Sequence, residues 1–339
     1  MAGSHKRKLV TSLGVTELKI IKLRKDDEVI TSPILNRLGI RRKKYSNGVK
    51  MKLVDMASVA SYGESSRMFK DISGIDVPKS TIHGFVQEVG QLIRFDQNIA
   101  ENSVVEPDGT EAHSTGQKNS SIRVVIFYGQ ESHQKSLISV TVNRDWARMP
   151  QGTFTVSNAE KEIENNVDLS AHQLDLVHAV GDTLFMMWMD SAPKEERNQI
   201  SGRMKAMLQT LVNSVRKHLA DDNMGALSLR IDKMLDELEM TAAELERKGY
   251  QRAARFIRGH SHFMVTFARV AISEGRMIPY TSNAIERLMA EIMRRCKHIW
   301  ARWSDKGLEN ILKIRLFRIV EPDNYMKFWQ GYTHAMIKR

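Results

Sequence analysis

The apolar positions along this chain change period several times, and each change marks a boundary. Residues 1–48 are basic and mixed, with one partly alternating stretch, LGVTELKIIKLRK (13–25), that predicts a strand. From Lys50 to Ala60 apolar residues recur every three to four positions, as on one face of a helix. A second helix carries Met68, Phe69 and Ile72. A turn follows around Gly74 to Pro78, and a third helix opens at Lys79 or Ser80 and carries Ile82, Phe85, Val86 and Val89. The period then falls toward two. SVVEPDGTEAH (103–113), SSIRVVIFYG (120–129) and KSLISVTVN (135–143) read as strands separated by polar turns. GTFTVSNAEKEI (152–163) reads as a fourth strand leading into a helix, and HQLDLVHAV (172–180) as a fifth short strand.

Helical period returns at residue 194 and holds to 275. Ile200, Met204, Met207, Leu208, Leu211 and Val215 mark one helix, and Ile231, Leu235, Leu238, Ala242 and Leu245 another. QRAARFIRGHSHFMVTFARVAI (251–272) is a third, more basic one. TSNAIERLMAEIMRRCKHIWARW (281–303) predicts a last long helix. Its N-cap candidates are Thr281, Ser282 and Asn283, and its buried stripe is Ile285, Leu288, Met289 and Ile292. Strands followed by helices imply an α/β class. The expected division is a mainly helical N-terminal region (1–98), the strands (99–190), an all-α insertion (191–278), and a C-terminal part with basic helices (279–339).

Charge narrows the picture. The formal net charge is +11 over 339 residues and the pI about 9.6, a balance that points to nucleic acid first and an anionic membrane second. The longest apolar run, Leu184 to Met189, is far too short to span a bilayer. The opening MAGSHKRKLV has cations without an apolar core, so no signal peptide is expected and the expected compartment is the cytoplasm, on DNA in the nucleoid. One cysteine, Cys296, excludes an internal disulfide or a cysteine-rich zinc site and reads as a packing residue. RRKK (41–44) is solvated surface or, near DNA, a phosphate clamp.

The last predicted helix holds the candidate chemistry. Glu286 falls in its first turn, where the helix dipole favours an anion, and Arg287, Arg294, Arg295, Lys297 and Arg302 follow, with Trp300 and Trp303 among them. An acid beside a basic, aromatic surface suits a phosphodiester: the acid holds a metal ion and the cations hold the polyanion. An amphipathic helix with a solvated charged face fits the same residues. Trp300 or Trp303 would stack on an unpaired base or pack in the core. Asp108, before Gly109, is a turn signal taken alone, yet a carboxylate at a strand end can also meet Glu286 over a metal. The matching position after the fourth strand is Asn158, whose carbonyl has no charge. Glu160 and Glu162 read as helix-start acids. The two helices over 65–93 fit a helix-turn-helix, with Lys79, Ser80, Thr81 and His83 at base edges, or an ordinary helical hairpin.

The order Asp-Gly-Thr (108–110), VSNAEKEI (156–163), QLDLVHAV (173–180) and TSNAIERLMAEIMRR (281–295) resembles the Mutator-like DDE transposases of bacterial and archaeal insertion sequences. The resemblance covers most of the chain, including SYGESSRMF (61–69) and STIHGFVQEVG (80–90). Its most specific part is Thr-x-Asn-x-x-Glu-Arg at 281–287. It implies an RNase H-like domain interrupted by an all-α insertion before the last acid. It also implies a site of Asp108, residue 158 and Glu286 holding two divalent ions, Mg2+ or Mn2+, with His178 nearby and Arg287 bracing Glu286 or a phosphate. The implied partners are double-stranded DNA, at terminal inverted repeats and target, and a second copy of the chain. Asn158 departs from the pattern, which has Asp there. Three accounts stand: an engineered Asp→Asn change, a natural decayed or repurposed transposase, or an acid elsewhere, Asp175 (mid-strand) or Asp182 (in a helix). With Asn158 in place, DNA binding with little or no cleavage is expected. A non-catalytic DNA-binding derivative and a nuclease or resolvase that cuts without joining are the alternatives.

Overall fold

The computed structural model describes residues 4–338, apart from 12–13, 22, 26–27, 31–43, 96–102, 117, 130–133, 147–148, 151–152 and 297–301. Two small antiparallel pairs open the chain: β1 (Ser4–Thr11) with β2 (Gly14–Ile21), and β3 (Leu23–Lys25) with β4 (Glu28–Ile30). The strand expected over 13–25 is therefore two strands in different hairpins. Gly14, with φ of 122°, begins β2 at a backbone angle that L side chains rarely adopt.

Three helices follow: α1 (Asn47–Val59), α2 (Tyr62–Ser73) and α3 (Lys79–Gly90). Ser46 and Ser61 cap α1 and α2 by accepting from Val49 N and Glu64 N, and Gly74 closes α2 in the left-handed conformation. Ile82, Val86 and Val89 are buried as expected. On α2 the core side is held by Phe69, whereas Met68 and Ile72 point outward, Ile72 with 75% exposure. Gly90 lets α3 approach closely: a Cβ there would lie 2.5 Å from the Cβ of Asn310.

The centre is a mixed five-stranded sheet of β5 (Val104–Ala112), β6 (Ser120–Tyr128), β7 (Lys135–Val142), β8 (Phe154–Ser157) and β9 (His172–Leu174), in the order β7-β6-β5-β8-β9. β5, β6 and β7 are antiparallel neighbours; β8 runs parallel to β5, and β9 parallel to β8. A four-residue helix, α4 (Lys161–Glu164), follows β8. The stretch 172–180 is not one strand. It ends at Leu174 and turns at Asp175 into α5 (Leu176–Met189).

The helical block is α6 (Lys194–Ala220), α7 (Met224–Arg247), α8 (Gln251–Met264) and α9 (Thr266–Glu274), the expected third helix being broken at Val265. α10 (Asn283–Cys296), α11 (Asp305–Val320) and α12 (Pro322–Lys338) complete the chain. The helix expected to reach 303 does not: Trp303 is extended and bridges to Ser114, its N–H donating to His113 O at 3.1 Å.

Two large cores divide the molecule. One joins α1–α3 to a face of β5–β7 and to α10–α12, through residues such as Leu53, Val86, Ile126, Ile292 and Ile311. The other packs α5–α9 onto Val104, Val156 and Leu174. A smaller cluster around Val105, Val125, Trp146 and Ile163 lies on the remaining side. The chain is thus α/β. No helix among the described residues is long and apolar enough to cross a membrane.

Candidate functional site

Alternation along β5 puts Glu106 and Asp108 on one face, and α10 lies against that strand. The first turn of α10 has N–H groups without helical partners. Two buried carboxylates take them: Ile285 N donates to Glu106 Oε2 at 2.9 Å, and Ser282 N and Oγ donate to Asp175 Oδ2 at 2.6 and 2.7 Å. Glu106 is 1% exposed, and burial pushes its carboxyl up to about 7 against the pull of the Ile285 N–H. Asp175 also caps α5, its Oδ1 accepting from Val177 N at 2.7 Å and His178 N at 3.0 Å. One side chain therefore ties together the end of β9, the start of α5 and the start of α10.

This knot fixes the groups around it. His178 sits in the first turn of α5 and Glu286 in the first turn of α10, with His178 Nε2 3.5 Å from Glu286 Oε1. Both side chains are open to solvent, 39% and 43% exposed. Asp108 Oδ1 accepts from Gly109 N at 2.8 Å. Burial raises the Asp108 carboxyl to about 6; the Gly109 N–H and His178 oppose the rise, and the charges of Glu286 and Glu160 add to it. The two acids expected to meet, Asp108 and Glu286, thus share one electrostatic neighbourhood with His178.

Residue 158 follows the end of β8, the strand next to β5. β5 pairs with β8 as Val104 with Phe154 and Val105 with Thr155. The same offset carried forward sets Asp108 beside Asn158, just past the end of β8. Asn158 Oδ1 accepts from Glu160 N at 3.2 Å. Glu160 stands at the start of α4 without capping it; its Oε1 accepts from Trp146 Nε1 at 3.1 Å. The Trp146 ring lies on Gly109, where a Cβ would be 3.5 Å from Cζ2. Glu162, in the first turn of α4, pairs instead with Arg123.

Asp175, His178 and Glu286 each bring a ligand atom within 4.8 Å of the others, a set that could hold a metal ion. Its members are unequal. A carboxylate offers about four lone-pair sites, and the four donors on Asp175 fill them. Glu286 and His178 are the open members. Asp175 is therefore a helix anchor and not, as expected, a mid-strand acid. Asp182 does lie in a helix, one turn beyond His178. Burial raises its carboxyl while His178 and His260 pull it down.

The expected DNA contacts divide. Lys79, Ser80 and His83 are exposed at the start of α3, Thr81 is half-buried, and His83 meets the Tyr62 ring edge-on at 5.4 Å. Arg287 is exposed and lines a recess with Lys135, Thr281 and Asn283 over Glu106. Arg294 is exposed and pairs with Glu291, and Arg302 is exposed. Arg295 is a correction: it is 8% exposed, donates to Ala57 O at 3.2 Å, and stacks on Trp303 at 4.7 Å. It faces inward because position 295 shares the buried stripe with Leu288 and Ile292. Trp303, 7% exposed under that guanidinium, packs and does not offer a face to a base. Lys297, Trp300 and Arg41 to Lys43 lie outside the described residues.

Sequence reasoning missed the supports. Asp175, placed before an apolar run of helical period, carried an N-cap signal. Glu106 shares a strand face with Asp108, two residues away, and no local signal marks it as a cap for a helix 179 residues further along the chain. No protein-family model matches this chain, and no curated protein matches it.

Proposed function

We propose that this chain is a DDE-type DNA transposase, a metal-dependent polynucleotidyl transferase that binds the ends of a mobile element as a homodimer. Its sheet is read as RNase H-like and α6–α9 as an insertion. Three antiparallel strands followed by two parallel ones, in the order β7-β6-β5-β8-β9, support the fold. The observation that carries the function is that Asp108 on β5 and Glu286 on the distant α10 share one electrostatic neighbourhood with His178, whose Nε2 lies 3.5 Å from Glu286 Oε1.

The donor set suits a hard cation: carboxylate oxygens from separate elements, partly open to solvent. Two divalent ions, Mg2+ or Mn2+, would supply neutralisation of a phosphodiester and activation of water or a 3′-hydroxyl. Asp108 and Glu286 hold the oxygen donors in place, and His178 steadies the Glu286 carboxylate. The exposed Arg287, Arg294 and Arg302 suit phosphates, an affinity that falls with salt. The exposed start of α3, with Lys79, Ser80 and His83, suits base edges of the element ends. Such a protein works in the cytoplasm, on the nucleoid.

Asn158 supports a second reading, a transposase-derived DNA-binding protein that does not cut, since residue 158 brings no charge. The test incubates this chain and Asn158→Asp with DNA carrying the sequences that flank the gene, with Mg2+ or Mn2+, and resolves the products. Cleavage and joining, strongest for Asn158→Asp, supports the transposase. Specific binding without cleavage by either favours the derivative. Cuts without joined products indicate a nuclease or resolvase.

A further inference from the structure

We propose that the recess between the end of α3, the end of β7 and the start of α11 is a second contact for DNA, gripping the phosphate backbone a few base pairs from the candidate site; this rests on the DNA-binding part of the reading above. The recess holds about 740 Å³ and is lined by Arg94, Arg144, Lys306 and Lys313, with two acids, Asp305 and Glu309.

Cations outnumber acids there, and the acids are occupied. Glu309, 8% exposed, takes Lys313 Nζ at 2.6 Å and a guanidinium nitrogen of Arg144 at 3.3 Å. Asp305 accepts from Ser120 Oγ at 2.7 Å. Arg94 and Lys306 pair with no acid among the described residues. Nη1 of Arg94 donates to Gln91 O at 2.6 Å and to Ile93 O at 3.0 Å, which holds the guanidinium at the end of α3. Lys306 is exposed one residue inside α11. Cations drawn from three elements around one hollow repel one another, and a polyanion across its mouth relieves that repulsion.

Placement ties the recess to the chemistry. Val142, at its wall, pairs with Ile122 on β6, and Ile122 pairs with Thr110 on β5, two residues past Asp108. Strand spacing and rise set Val142 about 12 Å from Asp108, on the same face of the sheet. The extended segment before α11 bridges to Ser114, just beyond β5, through Trp303, and the neighbouring Arg302 is exposed. A run of cations therefore leads from the end of β5 to the recess. At roughly 3.4 Å of axis per base pair, the distance to Asp108 corresponds to about three to four base pairs.

The test measures, by fluorescence anisotropy, how the full-length protein binds a labelled duplex of arbitrary sequence over a series of NaCl concentrations. Each phosphate neutralised adds about 0.9 to the slope of log affinity against log salt. Lys306→Ala and Arg94→Ala should each lower that slope by about one, and the double variant by about two. Lys306→Arg, which keeps the charge, should bind as the parent does. Lys205→Ala, which removes an exposed cation on α6, should leave the slope unchanged. Lys306 is exposed and paired with no acid, so its variants decide the matter if Arg94→Ala fails to fold. A parent-like slope in Lys306→Ala, whether binding is weakened or not, overturns the proposal and leaves the DNA-binding reading intact. No binding of the duplex by the parent overturns both.

Discussion

Asp175→Asn should cost far more than the loss of one charge on a surface. Asp175 is fully buried, and its two oxygens accept four donors. Asparagine keeps one oxygen and turns the other into an NH2 group. Whichever way the amide faces, two N–H or O–H donors then point at a donor. Hydrogen bonds to a charged acceptor contribute about 1.5–3 kcal/mol each, so the change should cost about 3–5 kcal/mol, in the range for breaking a buried charged network. Ser282→Ala removes one of the four donors and should cost about 1–2 kcal/mol. In the Asp175→Asn background the same serine change should cost almost nothing, since its partner oxygen is gone or already unsatisfied. Urea unfolding of all four proteins, followed by circular dichroism and by tryptophan fluorescence, measures the cycle. Additive single effects, within about 0.5 kcal/mol, would refute the account of Asp175 as the shared anchor of α5 and α10.

Four further outcomes follow from the same structure. The Asp108 carboxyl is raised to about 6, so Mn2+ must displace a proton in acid: affinity measured by calorimetry should fall as pH drops through 6 and level off above it. Glu106, raised to about 7, contributes stability that is present in acid and lost as pH rises through 7; Glu106→Gln should flatten the dependence of the urea midpoint on pH across that point. Cys296 is buried with its thiol pushed up to about 12, so the folded protein should resist thiol reagents that label it fully in urea. Arg294→Ala and Arg302→Ala should each lower the salt slope of DNA binding by about one, whereas Arg295→Ala should lower the unfolding midpoint and leave the slope unchanged.

Local pattern carried the elements well and their ends poorly. Period alone found the strands of the sheet, the long helices of 194–275, and the buried Ile285, Leu288 and Ile292. It ran past Leu174 because LDLVHAV is apolar enough for a strand, while Asp175 had already begun a helix. It drew the last helix through to 303, although Trp303 is held extended by backbone bonds to His113 and Thr115, partners far away in sequence. Arg295 read as surface because its charge suggests DNA, and Trp303 stayed open between a base and the core; the two stack on each other inside the protein. In the site, residue type and order singled out Asp108 and Glu286, and the family resemblance His178; the structure sets the three in one electrostatic neighbourhood. Glu106 and the turn of Glu160 toward Trp146 were not legible, since each depends on a neighbour brought in by tertiary packing.

The bond between Asp175 and Ser282 joins positions 107 residues apart. Everything between them leaves the sheet and returns to the same point. A loop whose ends are already clasped is nearly indifferent to its own length, because doubling it costs only about 0.6 kcal/mol of closure entropy. The exposed tip where α6 turns into α7, at Asp221 and Asp222, can therefore lengthen or take on a new module while the carboxylates at the base stay in register. Diversification in this architecture has a natural outlet at that tip, remote from the chemistry.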